Sequence, residues 1–455
     1  MTRLYFDRGT LIVTAQRTVE LDEHFGMRWD ARVDAYRAPA FHYRALASEL
    51  RRQGVAFDDA VMRDHPACGD WDPVELRPYQ QTALMTWAHE QRGLVVLPTG
   101  SGKTRLACAV MAACRVPTLC LVPTRVLLHQ WCKEISRHYR GPVGCLGDGN
   151  QALESITVAT FESAYRGMQR FGHQFQLLVV DEVHHFGNGV RDEALEMCVA
   201  PRRLALTATA PEGRALARVN ELMGPCVCAL SVADLSGLWL ADFENIVLGL
   251  RLTVDEQKQY DYALQTFRAV FDKFRRLSPG GTWQDFSAFA SRSEVGRNAL
   301  AAFRTSRELT NYPAAKRLAV ATLLQQHRGR RVLIFTANNS TAYAIAREHL
   351  VMPITCDIDR AEREQALAAF RAGELRALVS AQVLNEGLDV PDAEVAIIVG
   401  GVRGQREHVQ RVGRLLRPAP GKRALIYELV LEGTHELRKA AHRRRALEST
   451  GRKSA

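Results

Sequence analysis

The stretch Leu97-Pro98-Thr99-Gly100-Ser101-Gly102-Lys103-Thr104 decides how this 455-residue chain folds. An apolar run at 93–96 precedes it and an apolar-periodic segment at 106–114 follows it, so the sequence predicts the order strand, glycine-rich loop, helix. Such a loop directs a row of backbone N–H groups and a helix N-terminus at one point, which forms a seat for phosphate. The stretch therefore predicts a phosphate-binding site in an α/β domain.

The loop residues have separate roles in holding a nucleotide. Gly100 and Gly102 let the backbone close around the anion. Lys103 can reach the β- and γ-phosphates, and the Thr104 hydroxyl can bind Mg²⁺. We assign nucleotide binding to Thr99, Gly100, Ser101, Gly102, Lys103 and Thr104. The full pattern begins with a glycine where this chain has Leu97, so a glycine-rich turn in another kind of α/β protein stays open as the alternative.

A second stretch supplies the carboxylates that nucleotide chemistry needs. The apolar run at 177–180 has the character of a parallel strand buried on both faces, and Asp181-Glu182-Val183-His184-His185 follows it. A carboxylate at the end of such a strand lies beside the phosphate loop. We predict that Asp181 holds Mg²⁺ through water and that Glu182 orients the attacking water, with Lys103 as the third catalytic residue. The alternative for an isolated Asp-Glu pair is a solvated surface feature.

The composition and length of the chain limit the classes of protein to which it can belong. The chain is 47% hydrophobic and 24% charged, which is ordinary for globular material, and its length predicts two to four domains. No window reaches the length of a membrane span, and the N-terminus lacks the order of a signal peptide. Ten cysteines are scattered without a Cys-x-x-Cys pair. We therefore predict reduced thiols and a cytoplasmic protein without a zinc ribbon or an iron–sulfur cluster.

The charge of the chain favours a polyanionic partner. The net charge is +10, and residues 433–455 carry seven Lys or Arg against two Glu, which is half of the excess. A basic balance of this kind suggests nucleic acid. A solvated, frayed chain end is the alternative for the tail.

Residues 1–73 are predicted to form a small N-terminal domain. Apolar triplets at 4–6 and 11–13 flank Asp7-Arg8-Gly9, which predicts a β-hairpin, and a helix is predicted at 41–52. A domain this small is weakly stable alone, so we expect it to pack on the neighbouring domain. The prolines and glycine at 64–73 indicate a boundary.

Residues 74–237 are predicted to form a doubly wound parallel sheet. Apolar strands at 118–122, 156–159 and 204–206 each end in polar residues, and helical segments alternate with them. Upstream of the phosphate loop stands Arg77-Pro78-Tyr79-Gln80, where the Gln80 amide offers a donor and an acceptor that suit an adenine edge.

Residues 238–455 are predicted to form a second α/β unit. Strands are expected at 246–252 and 331–336, while 254–311 is predicted to be an inserted helical subdomain rich in aromatic residues. Most of those aromatics should form the insertion's own core, and one or two could stack on nucleic-acid bases. Two further strands, at 377–380 and 396–399, lead into the stretches 384–391 and 410–418.

In chain order, these stretches resemble the motifs of superfamily 2 helicases and translocases. Asp181-Glu182-x-His184 resembles motif II, and Arg77 with Gln80 resembles the element that reads adenine. The resemblance implies contacts with a nucleic-acid backbone for three residues, Arg125, Thr160 and Thr336. It implies a second role, coupling of the ATP state to domain motion, for Thr207 and Thr209.

The last two stretches resemble motifs V and VI of the same superfamily. The resemblance implies nucleotide contacts for Gly387 and Asp389. It also implies that Gln410, Arg414 and Arg417 reach the γ-phosphate across a cleft between two RecA-like domains. An arginine placed on the transferring phosphoryl group typically contributes about 10³–10⁵ in rate, and it does so only when the cleft is closed. Hydrolysis would thereby be tied to domain closure.

The resemblance can be narrowed to the XPB family of DNA helicases and translocases. The family is similar in the stretches 76–80, 181–185 and 410–417, and in Trp29-Asp30-x-Arg32 of its small damage-recognition-like domain. The insertion at 254–311 takes the place of that family's thumb. The resemblance implies ATP and Mg²⁺ as cofactors, duplex or forked DNA as partner, 3′–5′ movement, a monomer or heterodimer, and a nuclease partner in some members.

One departure separates translocation from unwinding. The family carries an Arg-Glu-Asp motif soon after motif III, and no Arg-Glu-Asp occurs in this chain. Movement on DNA is therefore the primary expectation. Two alternatives remain open: an RNA helicase of the Asp-Glu-x-His type, and an ATP-gated DNA-binding switch that recruits a nuclease.

Overall fold

The computed structural model describes residues 2–14, 25–61, 68–189, 191–235, 238–239, 242–381, 393–400, 423–437 and 440. The chain divides into two compact units, the first ending at Asp234 and the second beginning at Leu235. The first unit contains both the small N-terminal sheet and the larger sheet that carries the phosphate loop.

A five-stranded sheet and one helix make up the N-terminal part. The elements are β1 (Thr2–Asp7), β2 (Thr10–Thr14), β3 (Arg28–Asp30), β4 (Ala35–Pro39), α1 (Tyr43–Arg52) and β5 (Phe57–Asp59), with the strand order β3-β4-β2-β1-β5. The predicted hairpin is confirmed as β1 and β2, with Gly9 at a φ of +88° in its turn. Helix α1 buries Tyr43, Leu46, Ala47 and Leu50 against the sheet, as its apolar spacing predicts.

The N-terminal part packs on the larger sheet, which confirms the expectation from its size. Val199 of the larger domain lies in the same apolar cluster as Leu4 and Leu46. In the other direction, Phe41 joins the core of the larger sheet. The two cores are therefore joined by exchanged side chains.

The segment that connects the N-terminal part to the larger sheet is fixed by contacts of its last residues. Trp71 is buried, the Asp72 N–H donates to the carbonyl of His138 at 2.7 Å, and the Arg140 N–H donates to the carbonyl of Asp70 at 3.0 Å. An ion pair between Arg140 and Asp72 adds to these bonds. The end of the predicted linker is thus fixed on the surface beyond the helix that ends at Ile135.

An eight-stranded sheet forms the body of the first unit. Its elements are α2 (Pro78–Glu90), β6 (Arg92–Val96), α3 (Lys103–Cys114), β7 (Thr118–Val122), α4 (Arg125–Ile135), β8 (Val143–Gly147), β9 (Asn150–Ala152), β10 (Ile156–Thr160), α5 (Phe161–Phe171), β11 (Leu177–Val180), α6 (Glu193–Glu196), β12 (Arg202–Thr207), α7 (Gly213–Met223), β13 (Cys226–Ala229) and α8 (Val232–Leu235). The strand order is β13-β6-β12-β11-β7-β10-β8-β9. Every pairing is parallel except that of β8 with β9. The predicted doubly wound parallel sheet is confirmed, and its central strands are buried on both faces.

A buried arginine lies where two helices of this unit end. Arg203 on β12 is fully buried, and its guanidinium donates to the carbonyls of Leu195, Cys198, Ala200 and Leu222 at 2.5–3.1 Å. These carbonyls belong to the C-terminal ends of α6 and α7 and to the turn between α6 and β12, where helix C-termini favour a cation. Burial lowers the pKa of the Arg203 guanidinium to about 9.

We expect Arg203→Met to lower the free energy of unfolding by about 3 kcal/mol, because four buried carbonyls lose their donor. Urea unfolding followed by circular dichroism measures the change. The control is Arg202→Met, which replaces a half-exposed neighbour and should stay within about 0.5 kcal/mol of the native chain. Equal midpoints for the two variants would show that the contacts of Arg203 do not stabilise the unit.

The second unit is built on a six-stranded sheet. Its elements are β14 (Asp242–Leu250), α9 (Val254–Leu277), α10 (Trp283–Ser291), α11 (Glu294–Asn311), α12 (Ala314–Gln326), β15 (Val332–Phe335), α13 (Asn339–His349), β16 (Met352–Ile354), α14 (Arg360–Ala372), β17 (Ala377–Ser380), β18 (Val395–Ile398) and β19 (Arg423–Leu431). All its pairings are parallel, in the order β14-β19-β18-β15-β17-β16. The predicted second α/β unit is confirmed, and the sheet pairs its first strand with its last.

Three helices form the predicted insertion, α9 to α11. They begin at side-chain caps, of which Thr253 with Glu256 forms a capping box. Phe267, Phe274 and Phe286 are buried in a cluster of their own, which confirms the expected aromatic core. Two aromatic side chains remain substantially exposed, Tyr262 at 75% and Trp283 at 48%.

Two sequence-level expectations about the whole chain can be compared with the described residues. All ten cysteines are free thiols. Among the helices that the structure describes, none combines the length and the apolar character that crossing a membrane requires.

Candidate active site

The phosphate loop occupies the turn from β6 into α3, as the sequence predicts. Gly100 and Gly102 have φ angles of +85° and +80°, which glycine adopts readily. The Ser101 hydroxyl donates to the carbonyl of Pro98 at 2.6 Å, so the loop is closed by a bond of its own. Helix α3 begins directly after the loop, at Lys103, and its N-terminus faces the loop opening.

Side chains at the start of α2 hold this loop in place through hydrogen bonds. Gln80 is buried; its side-chain oxygen accepts from the Arg77 N–H at 2.9 Å, and its amide nitrogen donates to the carbonyl of Ser101 at 2.8 Å. The Tyr79 hydroxyl donates to the same carbonyl at 2.6 Å. A Cβ at Gly102 would stand 2.5 Å from the Gln80 amide nitrogen, so the contact requires glycine there. The adenine-reading role of Arg77 and Gln80 stays a prediction.

The two carboxylates follow the end of β11. Asp181 is 5% exposed, and one of its oxygens accepts the Glu182 backbone N–H at 3.0 Å. Burial raises the pKa of the Asp181 carboxyl, and the charge of Glu182 raises it further, whereas Lys103 lowers it. Burial acts on Glu182 in the same direction, but Lys103 and His184 bring the pKa of Glu182 below its usual value. The positive charge of Lys103 therefore acts on both carboxylates.

A line of contacts runs from the second carboxylate to the next strand. Glu182 has a left-handed backbone with a φ of +50°, a conformation that concentrates at functional sites. Its carboxylate lies 3.3 Å from Nδ1 of His184, which lies 3.1 Å from the Thr207 hydroxyl. That hydroxyl donates to the carbonyl of Thr209 at 3.0 Å. The pair predicted to couple ATP state to motion is thus in contact with the Asp-Glu-x-His element.

The residues present fit a nucleotide with Mg²⁺. The Thr99 hydroxyl in the loop is buried and has no protein partner among the described residues. The Thr104 hydroxyl and the Asp181 carboxylate are hard oxygen donors of the kind that Mg²⁺ prefers. In the described part of the chain, no group of three or more His, Cys, Asp or Glu could form a metal cage. A metal held by few protein oxygens and by substrate phosphates agrees with this donor set.

The predicted nucleic-acid contacts of the first unit lie at one edge of its sheet. Thr124 and Thr160 cap α4 and α5, accepting the N–H of Leu127 and of Ser163, respectively. Because β7 and β10 are adjacent parallel strands, both helix N-termini lie at the same edge, and helix N-termini attract phosphate. Arg125 is the exposed first residue of α4.

An acidic residue that the sequence analysis missed lies at this edge. Asp148 stands in the turn between β8 and β9, with one oxygen 3.4 Å from the Arg125 guanidinium and the other 2.9 Å from Nε2 of His129. The turn sequence Asp-Gly was the available signal for a hairpin. The carboxylate partly neutralises the positive charge of the Arg125 guanidinium at this edge.

A second missed residue contacts Asp181, the carboxylate that is predicted to bind the metal. The indole N–H of Trp131, on α4, donates to the other oxygen of Asp181 at 3.1 Å. The two residues are 50 positions apart, so spacing along the chain carries no signal for this bond.

The remaining predicted residues belong to the second unit. The Thr336 hydroxyl follows β15 and donates to the carbonyl of Asn338 at 3.0 Å within the turn. The residues predicted from motifs V and VI lie outside the described part of the chain: Gly387, Asp389, Gln410, Arg414 and Arg417. The basic tail beyond residue 440 lies outside it as well.

Three family models match the chain. The damage recognition domain of the xeroderma pigmentosum group B helicase matches residues 4–61, the res subunit of type III restriction enzymes matches 73–212, and the conserved C-terminal domain of helicases matches 315–419. These matches exclude the alternative that the loop is a turn in an unrelated α/β protein.

Similar proteins with curated names agree with the models. The chain is 34% identical to the DNA 3′-5′ translocase XPB2 of Sulfurisphaera tokodaii, over 92% of this chain and 96% of the relative. It is 28% identical to the DNA 3′-5′ helicase XPB of Mycobacterium tuberculosis, over 85% of this chain and 66% of that protein. Among solved structures, the Hef helicase domain of Pyrococcus furiosus has a similar fold, with a TM-score of 0.53 and 17% identity over 81% of this chain and 98% of that domain.

Proposed function

This chain belongs to the XPB family of superfamily 2 helicases, and we propose that it uses the site around Lys103, Asp181 and Glu182 to power 3′–5′ movement on DNA. It is an ATP-hydrolysing DNA helicase or translocase. The observation that carries the proposal is the continuous contact from Glu182 through His184 to Thr207. This contact joins Glu182, which would act at the γ-phosphate, to the segment at Thr207, which would respond when the γ-phosphate is lost.

Each residue of the first unit has a defined part in the proposed reaction. The loop N–H groups bind the phosphates of ATP, and Lys103 neutralises the β- and γ-phosphates. Thr104 and Asp181 would hold Mg²⁺, which offsets the charge that develops on the phosphate oxygens. Glu182, kept ionised beside Lys103 and His184, orients the attacking water.

The arginine part of the proposal rests on the family pattern alone. We infer that Arg414 and Arg417, together with Gln410, complete the site from the second RecA-like domain, because they stand in the motif VI pattern Gln-Arg-Val-Gly-Arg-Leu-Leu-Arg. Gly387 and Asp389 are assigned to the nucleotide on the same basis. Hydrolysis would then require both domains.

The domain limits and the further partners are proposals of the same standing. We place the boundaries at residues 73 and 237 and the thumb-like insertion at 254–311. A nuclease partner, a monomeric or heterodimeric state and a cytoplasmic location follow from the resemblance and the composition. Purification of the tagged chain from its own cells, followed by a nuclease assay of the eluate, tests the partner.

The proposed function is tested by ATPase rates with no nucleic acid, single-stranded DNA, duplex DNA and RNA. Stimulation by DNA well above that by RNA is the expected result. Stimulation by RNA alone would favour the RNA helicase alternative. An equal, low rate in all four would indicate either a missing partner protein or the ATP-gated switch.

We expect Arg125→Ala to weaken duplex DNA binding and to reduce the slope of log affinity against log salt by about 0.9, because one phosphate contact is lost. Asp148→Asn should have the opposite effect on affinity, since it removes the carboxylate beside Arg125 and His129. Fluorescence anisotropy of a labelled duplex over a salt series measures both.

Arg137→Ala is the matched control, because Arg137 is an exposed arginine just beyond the other end of α4 and pairs with Glu134. Its salt slope should equal that of the native chain. A slope that Arg125→Ala leaves unchanged would remove Arg125 from the DNA interface.

A further inference from the structure

Trp131 is bonded to the carboxylate that the proposed function assigns to Mg²⁺. Its indole N–H donates to one oxygen of Asp181 at 3.1 Å, and the Glu182 N–H donates to the other at 3.0 Å. Trp131 and Asp181 are 1% and 5% exposed, so water does not compete freely for either bond. Two donors from separate elements therefore fix the plane of the carboxylate and leave the unused lone pairs of each oxygen for a ligand.

The indole is well suited to this position. It belongs to the apolar cluster that lines one face of the sheet, together with Leu128 and Ile135 of its own helix, so its ring is held by packing. It is also neutral, whereas a lysine or arginine in its place would repel a divalent cation. A neutral donor held by packing orients the carboxylate without placing a positive charge beside the metal.

Trp87 shows what a purely structural tryptophan does in the same unit. It is 2% exposed, and its indole N–H donates to the backbone carbonyl of Arg203 at 2.9 Å. A buried indole N–H needs some acceptor, and a main-chain carbonyl satisfies it. Trp131 differs because its acceptor is the side chain that would bind the metal.

We propose that Trp131 is a positioning residue of the metal site, which holds the Asp181 carboxylate in the orientation that Mg²⁺ requires. The inference rests on the proposed metal role of Asp181 and adds a residue of α4 to that site. Helix α4 begins at Arg125, at the sheet edge proposed to contact DNA. Further along the same helix, Trp131 donates its hydrogen bond to Asp181.

The test is equilibrium binding of a fluorescent ADP analogue as Mg²⁺ is titrated, without turnover. Trp131→Phe keeps an aromatic ring and removes the N–H, and it should raise the half-saturating Mg²⁺ concentration by about tenfold, the usual loss when a partner of a metal ligand is removed. Binding of the analogue in EDTA should not change. Trp131→His, which retains a ring N–H, should recover part of the Mg²⁺ affinity.

Trp87→Phe is the matched control, since it removes the same kind of bond from an equally buried tryptophan. Trp87→Phe should lower thermal stability, and its half-saturating Mg²⁺ concentration should equal that of the native chain. The inference is overturned if Trp131→Phe leaves the requirement unchanged, or if Trp87→Phe raises it equally. If Trp131→Phe fails to fold, Trp131→Met against Trp87→Met decides in the same way, because methionine also lacks the N–H.

Asp181→Asn separates this inference from the proposed function. If that variant removes the effect of Mg²⁺ on binding and Trp131→Phe does not alter it, only the role of Trp131 is wrong. If Asp181→Asn leaves the Mg²⁺ effect intact, the metal assignment itself is wrong and the inference falls with it.

Discussion

Lys103→Ala is expected to reduce ATP turnover at saturating DNA by about 10³-fold, the loss seen when one preorganised group that stabilises transition-state charge is removed. Lys103 follows the loop directly, and its positive charge acts on both Asp181 and Glu182. Its loss therefore removes a phosphate contact and also increases the repulsion between the two carboxylates. Steady-state release of phosphate measures the effect.

Lys133→Ala provides the comparison for this prediction. Lys133 is an exposed lysine on α4, and its removal should leave turnover unchanged. Hydrolysis that survives in Lys103→Ala at the native rate would show that the nucleotide site lies elsewhere in the chain.

Glu182→Gln is expected to reduce hydrolysis by about 10²–10⁴-fold while ATP still binds. Glutamine keeps the length of the side chain, but it lacks the charge that orients and polarises water. The uncharged amide also weakens the electrostatic contact with His184. Because the phosphate loop is unchanged, the variant should still bind ATP and remain in the state before hydrolysis. Single-turnover hydrolysis and nucleotide binding, measured together, separate the two effects.

The control is Glu162→Gln, which changes an exposed glutamate paired with Arg166 on α5. It should hydrolyse ATP at the native rate. If Glu182→Gln lost hydrolysis and kept full activity in cells, binding alone would be the function, and the ATP-gated switch would replace the motor.

The part of the fold that could be predicted is the part that local rules determine. The phosphate loop was predictable because a strand, two glycines and a helix start are all encoded within about a dozen residues. The helix predicted at 41–52 follows from one apolar stripe, although the α-helix itself begins at Tyr43, after a 3-10 turn at Ala40–His42. Strand β19 was not recognised from the sequence, although it contains a nearly continuous apolar run at 424–431 that only Glu428 interrupts. Its place in the sheet comes from its pairing with β14 and β18.

The contacts that could not be predicted join residues far apart in the chain. The bond between Trp131 and Asp181 depends on how α4 lies against β11, which no spacing encodes. Arg203 is a stronger case, since arginine is usually exposed and nothing in the sequence marks two helix ends that meet around it. The coupling role of Thr207 was implied by family resemblance, but its contact with His184 was not, because that contact depends on the adjacent strands β11 and β12.

The core that Leu4 shares with Val199 has a consequence for the synthesis of the protein. The ribosome makes the small sheet first, and Val199 follows Val61 by about 140 residues, or roughly 10–30 s at ordinary elongation rates. During that interval the nascent sheet lacks the side chain that completes its apolar cluster, and incomplete sheets are prone to pair with other chains. The yield of native protein should therefore depend on how well chaperones shelter the nascent chain until Val199 emerges.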